Sequence, residues 1–203
     1  MPEVILATSN KHKFFEIKNI LLPEELGIEL IFGGELVDSA PAETGSTFFE
    51  NALIKARFYG QKTNMPALAD DSGLVAPALG GKPGIMSARF AGEGCTYDDN
   101  NRKLLKMMEN LPDEMRGAKF VCVAVLWLPY GEVFSTKGEL HGKITREPRG
   151  TGGFGYDPVF ELPDRRTVAE LAPQEKNAIS HRAKAFKKMR KLIIELIKSG
   201  KIG

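Results

Sequence analysis

The residues Leu68-Ala69-Asp70-Asp71-Ser72-Gly73-Leu74 join an apolar approach to two adjacent carboxylates, a hydroxyl and a glycine. A strand over residues 67–69 would deliver these oxygens at its carboxyl end, where α/β proteins keep much of their chemistry. Two carboxylates this close repel, which raises one pKa unless a cation shares the site. Mg²⁺ is the natural cation, since it binds through one or two carboxylates together with substrate phosphates. The competing reading is a turn, because Asp, Ser and Gly all favour turns. Glu43, in Ala42-Glu43-Thr44-Gly45, is a solvated loop acid by itself. Beside Asp70 and Asp71 it could complete a Mg²⁺ shell.

Three further groups could meet a nucleotide. Thr8-Ser9-Asn10-Lys11-His12-Lys13 follows a strand pattern and opens a helix. Asn10 is a good N-cap. Bases in a first helical turn oppose the macrodipole, which favours acids there. An anion held on the free N–H groups would explain them; a basic surface turn would as well. The GxxxxGK[ST] phosphate loop is absent. In Gly152-Gly153-Phe154-Gly155-Tyr156-Asp157-Pro158 an aromatic ring is framed by glycines. Phe154 suits a stacking platform for a base, and Asp157 could accept from base N–H groups. The alternative is a tight turn with Phe154 plugging the core. Lys176-Asn177-Ala178-Ile179-Ser180-His181-Arg182 again sets bases at a helix start. Arg182 offers planar paired donors for phosphate or a carbonyl edge. A lone His181 is more often structural, but beside Arg182 a binding role is equally reasonable.

The elements that must position these residues follow from periodicity. Strands are expected over residues 4–7, 28–32 and 67–69, with helices over 11–22 and from Thr47 onward. The segment 33–45 is polar. Thr47-x-x-Glu50 has the form of a capping box, which makes Glu50 a cap rather than a catalyst. Residues 73–94 form a long ordered loop, 98–110 a helix, and 118–128 with 132–140 a hairpin. A final helix over 178–199 carries Ile179, Phe186, Met189, Ile193, Leu196 and Ile197 as its apolar stripe. Helices alternating with strands, then a hairpin, imply a mixed α/β sheet.

Composition sets the outer limits. The chain has 203 residues, 42% hydrophobic and 27% charged, enough for one domain with a sizeable core. A net charge of +2 argues against a dedicated nucleic-acid binder. The charge is uneven: residues 176–203 hold nine Lys or Arg against one acid, Glu195. The two cysteines, Cys95 and Cys122, make no zinc or disulfide pattern, and Cys122 reads as a packed core thiol. The start of the chain is not a signal peptide and no run is long enough to span a bilayer, so a cytoplasmic protein without membrane contact is expected.

In order along the chain, Ala7-Thr8-Ser9-Asn10-x-x-Lys13, Glu43-Thr44-Gly45-x-Thr47-Phe48-x-Glu50-Asn51-Ala52 and Ala69-Asp70-Asp71-Ser72-Gly73-Leu74 are followed by three more blocks. These are Leu79-Gly80-Gly81-x-Pro83-Gly84-Ile85-x-Ser87-Ala88-Arg89, Gly150-Thr151-Gly152-Gly153-Phe154-Gly155-Tyr156-Asp157-Pro158 and Lys176-Asn177-Ala178-Ile179-Ser180-His181-Arg182. The set resembles the inosine/xanthosine triphosphate pyrophosphatases over almost the whole chain. A mild departure is Ser9, where that family often has Gly.

The resemblance implies one domain, residues 1–203, with two α/β lobes around a long mixed sheet and the site in the cleft between them. It implies a homodimer, dependence on Mg²⁺, and hydrolysis of ITP, dITP or XTP to the monophosphate and pyrophosphate. By position Asp71 would be general base and metal ligand, Glu43 a second ligand and Asp70 a support. Thr8, Ser9, Asn10, Lys11, His12, Lys13 and Ser72 would hold phosphates. Phe154, Gly155, Tyr156, Asp157, Lys176, His181 and Arg182 would hold the base and nearby groups. Two rival readings are a metal-dependent hydrolase of pyrimidine or other modified triphosphates, and a non-enzymatic nucleotide- or RNA-binding module using the basic C-terminal helix.

Overall fold

The computed structural model describes residues 1–37 and 40–203. Its strands are β1 (Glu3–Leu6), β2 (Glu29–Phe32), β3 (Ala67–Val75), β4 (Gly117–Trp127), β5 (Val133–Ile144) and β6 (Phe160–Glu161). Its helices are α1 (Lys11–Leu21), α2 (Pro23–Leu26), α3 (Phe48–Thr63), α4 (Tyr97–Met107), α5 (Pro173–Ile179) and α6 (His181–Lys198). The strands form one sheet in the order β2-β1-β3-β4-β5-β6. β1 pairs in parallel with β2 and β3, and β5 pairs antiparallel with β6, so the expected mixed α/β sheet is present. Among the described residues no helix is long and apolar enough to cross a membrane.

Two compact units divide the chain. The first holds Met1–Asp71, Cys122–Gly138 and Arg182–Gly203. Alternation along its strands fills two cores. Val4, Leu6 and Leu68 pack with Ile17 and Leu21 of α1 and with Phe186, Met189 and Ile193 of α6. Ile5, Ala7, Ala67 and Ala69 pack with Ala52, Ala56 and Tyr59 of α3. Strands covered on both faces read as unbroken apolar runs, which is why β1 was legible. Each fully buried aliphatic side chain here contributes about 1.5–3 kcal/mol. Gly60 of α3 lies against Trp127, where an added Cβ would overlap the indole.

The second unit holds Ser72–Val121 and Glu139–His181. Its core gathers Leu74, Phe90, Leu104, Met108, Phe120, Leu140, Tyr156, Val159 and Phe160. Ser87 ties the segment after β3 back to it: its hydroxyl accepts from Leu74 N–H at 2.9 Å and donates to the Gly84 carbonyl at 2.6 Å. The glycine-rich stretch lies close to the backbone of Ala169, which a Cβ on Gly150 or Gly152 would meet at 2.6 or 2.9 Å.

Three expectations need correction. β3 does not end at Asp70-Asp71; it runs through both and on to Val75, so the acids lie within a strand and not in a turn. The loop expected over 73–94 is therefore shorter, and it contains 3₁₀ turns at Pro77–Leu79 and Gly84–Arg89. The single final helix is two helices, broken at Ser180, whose ψ of 156° leaves the helical region. Ile179 consequently belongs to α5 and is 37% exposed instead of lying on the α6 stripe. The polar segment over 33–45 includes a 3₁₀ turn at Gly33–Glu35, and its residues 38 and 39 lie outside the described range.

Candidate active site

Successive side chains on a strand point to opposite faces. Asp70 shares the parity of Leu68 and meets α1 and α6; Asp71 shares that of Ala69 and meets α3. Both carboxylates are buried. Each acid therefore has its own surroundings.

Asp70 is enclosed by positive groups. Lys13 Nζ lies 3.4 Å from each carboxylate oxygen, Arg182 Nε is 3.5 Å from Oδ2, and Cys122 Sγ donates to Oδ2 at 3.8 Å. Arg182 is almost fully buried, and its Nη1 donates to Glu16 Oε2 at 2.9 Å. Burial works against the guanidinium charge, but Asp70 and then Glu16 outweigh it and hold the group cationic. A buried charge of this kind persists only when paired. Asn10 caps α1 as expected, its Oδ1 accepting from Lys13 N–H at 3.1 Å, while Thr8 Oγ1 accepts from Asn10 N–H at 3.1 Å. The first turn of α1 has no acid. Ser9, Lys11 and His12 are exposed on this turn.

Asp71 faces a different set. Asn51 Nδ2 donates to its Oδ2 at 3.2 Å, and Lys55 Nζ lies 3.9 Å from Oδ1. Lys55 also donates to Glu43 Oε1 at 2.9 Å. Burial raises the Asp71 pKa above the ordinary carboxylate value. Lys55 opposes that rise, whereas Glu43 and Asp70 add to it. Burial pulls Lys55 down, yet Asp70, Asp71 and Glu43 together hold it above its ordinary value. Asn51 and Lys55 stand four residues apart on one face of α3. Asn51 Oδ1 accepts from Gly45 N–H at 2.8 Å, and a Cβ on Gly45 would come within 2.7 Å of that oxygen. Thr47 caps α3, but Glu50 reaches back to the N–H and hydroxyl of Ser46, at 2.6 and 2.7 Å, rather than closing a box on Thr47.

The donor set on the Asp71 face suits a divalent cation. Glu43 Oε1 and Asp71 Oδ1 both lie near the Lys55 ammonium, at 2.9 and 3.9 Å, and a divalent cation there would relieve the burial and like-charge costs carried by Asp71. Among the described residues no three His, Cys, Asp or Glu side chains gather, so further ligands would come from water or phosphate. Ser72, the next residue of β3, is half-buried.

In the second unit Asp157 organises the glycine-framed loop. Its Oδ2 accepts from Phe154 N–H at 2.9 Å and from Lys176 Nζ at 2.6 Å. Gly153 has φ +71°, and a Cβ there would overlap that oxygen, so both backbone shape and space require glycine. Phe154 is half-buried and outside the apolar core, with the Lys176 ammonium 4.3 Å above its ring. This sets aside the core-plug reading. Gly155 accepts at its carbonyl from Asn101 Nδ2 at 3.0 Å. Tyr156 is buried and donates to the Ser87 carbonyl at 2.8 Å; burial pushes its phenol well up, so it stays protonated. His181 is buried and stacks on Phe120, centroids 4.8 Å apart.

Asn51, Lys55 and Glu16 had no role in the expectations from sequence. Asn51 stood in the Glu43–Ala52 block without a role of its own, and the local signal for Lys55 was its place one turn further along the same helix. Glu16 meets Arg182 across 166 residues, a separation no local pattern encodes.

Similarity to known proteins covers nearly the whole molecule. A dITP/XTP pyrophosphatase of Escherichia coli (strain K12) is 46% identical over 205 residues, spanning 98% of this chain and 100% of that protein. The dITP/XTP pyrophosphatase of Yersinia pestis is 46% identical over 195 residues, 93% of this chain and 96% of its own. A solved HAM1 protein from Coxiella burnetii superposes with a TM-score of 0.89 at 44% identity, covering 96% of this chain and 100% of that one. The Staphylococcus aureus Ham1 protein gives 0.85 at 38% identity, covering 94% and 97%. With residues 4–192 matching the Ham1 family, this chain belongs to that family.

Proposed function

We propose that the chain, acting as one domain, hydrolyses non-standard purine nucleoside triphosphates (dITP, ITP, XTP) to the monophosphate and pyrophosphate. The observation that carries this reading is Asp71: a buried carboxylate with a raised pKa, held between Asn51 and Lys55 and facing Glu43. Relatives matched over their full length and named dITP/XTP pyrophosphatases supply the substrate class.

In this reading Asp71 and Glu43 would hold Mg²⁺, which when bound would supply positive charge to the phosphate oxygens. Asp71 takes the proton of a water attacking the phosphate. Lys55 fixes Asp71 and Glu43. Asp70 orients Lys13 and Arg182 and keeps Arg182 charged. Thr8 to Lys13 and Ser72 bind phosphate, with Lys13 offsetting charge on the departing pyrophosphate. Phe154 stacks the base, framed by Gly155, Tyr156 and Asp157, while Lys176, His181 and Arg182 reach its polar edge. A donor facing the 6-oxo group of hypoxanthine or xanthine would face the 6-amino donor of adenine instead, and leaving such groups unpaired discriminates by about 10⁴-fold. The resemblance extends the proposal to a homodimer in the cytoplasm.

Incubation with dITP, ITP, XTP, ATP and GTP plus Mg²⁺, followed by product separation, tests it. Pyrophosphate and monophosphate from the inosine and xanthosine nucleotides are expected. Release of orthophosphate, or equal cleavage of ATP, would overturn it.

A further inference from the structure

Tyr97 is the first residue of α4, and it stays 49% exposed. Its ring lies 6.2 Å from that of Phe154 at a tilt of 40°, within the range of favourable aromatic pairs. The position is fixed by the surrounding hydrogen bonds. Thr96 and Asp99 form a complete capping box under Tyr97, with Asp99 accepting the Thr96 N–H at 2.9 Å and Thr96 Oγ1 accepting the Asp99 N–H at 3.2 Å. One turn further on, Asn101 donates to the Gly155 carbonyl at 3.0 Å. The start of α4 is therefore tied to the Phe154 loop at two points, through a side-chain amide and through a ring contact.

We infer that Tyr97 is a specificity-determining residue of the base subsite and extends the aromatic surface of Phe154 to the width of a purine. The inference rests on the proposed role of Phe154 as stacking platform. A single phenyl ring covers about as much area as a pyrimidine. A fused purine needs a wider surface, and a second ring beside the first supplies it without adding hydrogen-bond demands. Lys176 Nζ lies 4.3 Å from the centroid of the Phe154 ring, and the tilted Tyr97 ring adds a second aromatic face beside it.

The test is steady-state kinetics with dITP on Tyr97→Ala, Tyr97→Phe and Phe154→Ala, with the melting midpoint of each variant. Tyr97→Ala should raise KM about fivefold to tenfold, the scale of one lost aromatic contact, with kcat and melting midpoint close to the parent. Tyr97→Phe should keep the parent KM, since the ring and not the hydroxyl makes the contact. A Tyr97→Ala KM within twofold of the parent overturns the inference. So does a KM rise matched by a fall in melting midpoint, or a Tyr97→Phe variant as impaired as Tyr97→Ala. Phe154→Ala separates the two levels: if it leaves KM unchanged, the stacking reading falls and Tyr97 with it. If it raises KM while Tyr97→Ala does not, only the role of Tyr97 falls.

Discussion

Asp70 and Asp71 are consecutive on β3, yet Asp70 meets Lys13 and Arg182 while Asp71 meets Asn51 and Lys55. The two-residue period of the strand separates two acids of identical chemistry into different environments. One is surrounded by cations; the other is held above its ordinary pKa by burial.

That difference fixes the outcome of Asp71→Asn. An acid whose pKa is higher folded than unfolded binds more protons in the folded state. Its contribution to stability therefore falls as pH rises from the ordinary value of 3.8 through the raised one. At neutral pH the ionised carboxylate costs stability, and the neutral amide removes that cost. Asp71→Asn should lose at least about 10²-fold in kcat, as expected for loss of a general base. In metal-free buffer it should also melt higher than the parent at pH 7, with the gain shrinking as the pH approaches 4. A variant that is both inactive and less stable at pH 7 would show Asp71 to be structural.

Asn51→Ala should be costly in a different way. It removes the donor to Asp71 and the acceptor for Gly45 N–H at once. Leaving a buried polar group unpaired costs about 1–3 kcal/mol, so a loss of urea stability of that size is expected, with a loss of kcat. Unchanged urea stability would mean that water replaces both bonds.

Much of the fold was legible because its signals are local. Asn10 and Thr47 cap the helices they were expected to cap, and apolar runs marked β1 and β2. Asp70-Asp71-Ser72-Gly73 carries turn-forming residues, so its strand conformation comes from pairing within the sheet and not from its own preferences. The break at Ser180 has neither Gly nor Pro to announce it. It still decides that His181 and Arg182 begin a helix, and the partners of Arg182 are Glu16 and Asp70, both far away in sequence.

Exposed carboxylates at helix starts shape acid stability with the opposite sign to Asp71. The Thr96 hydroxyl and backbone N–H hold Asp99 below its ordinary 3.8, and Ser46 does the same for Glu50 below 4.5. A lowered acid stabilises the fold fully above its unfolded pKa, and the benefit is lost as pH falls through the folded one. Melting midpoints taken between about pH 5 and pH 2 should therefore drop less steeply for Asp99→Asn than for the parent. Parallel curves would refute the capping role.

Gly60→Ala sets two effects of known size against each other. In a helix interior alanine is favoured over glycine by about 0.8–1.0 kcal/mol, so propensity alone predicts a more stable protein. The added Cβ, however, would overlap two carbons of the Trp127 ring, which is 6% exposed and cannot swing into solvent. Overpacking a dense core costs about 1–3 kcal/mol, which outweighs the propensity gain. The variant should unfold at lower urea than the parent. Trp127 is the sole tryptophan, so its emission reports the site directly and should shift to the red as the ring is displaced. A stabilised variant with unchanged emission would mean that α3 moves away from the sheet at little cost, and that its packing there is looser than the contact with Trp127 implies.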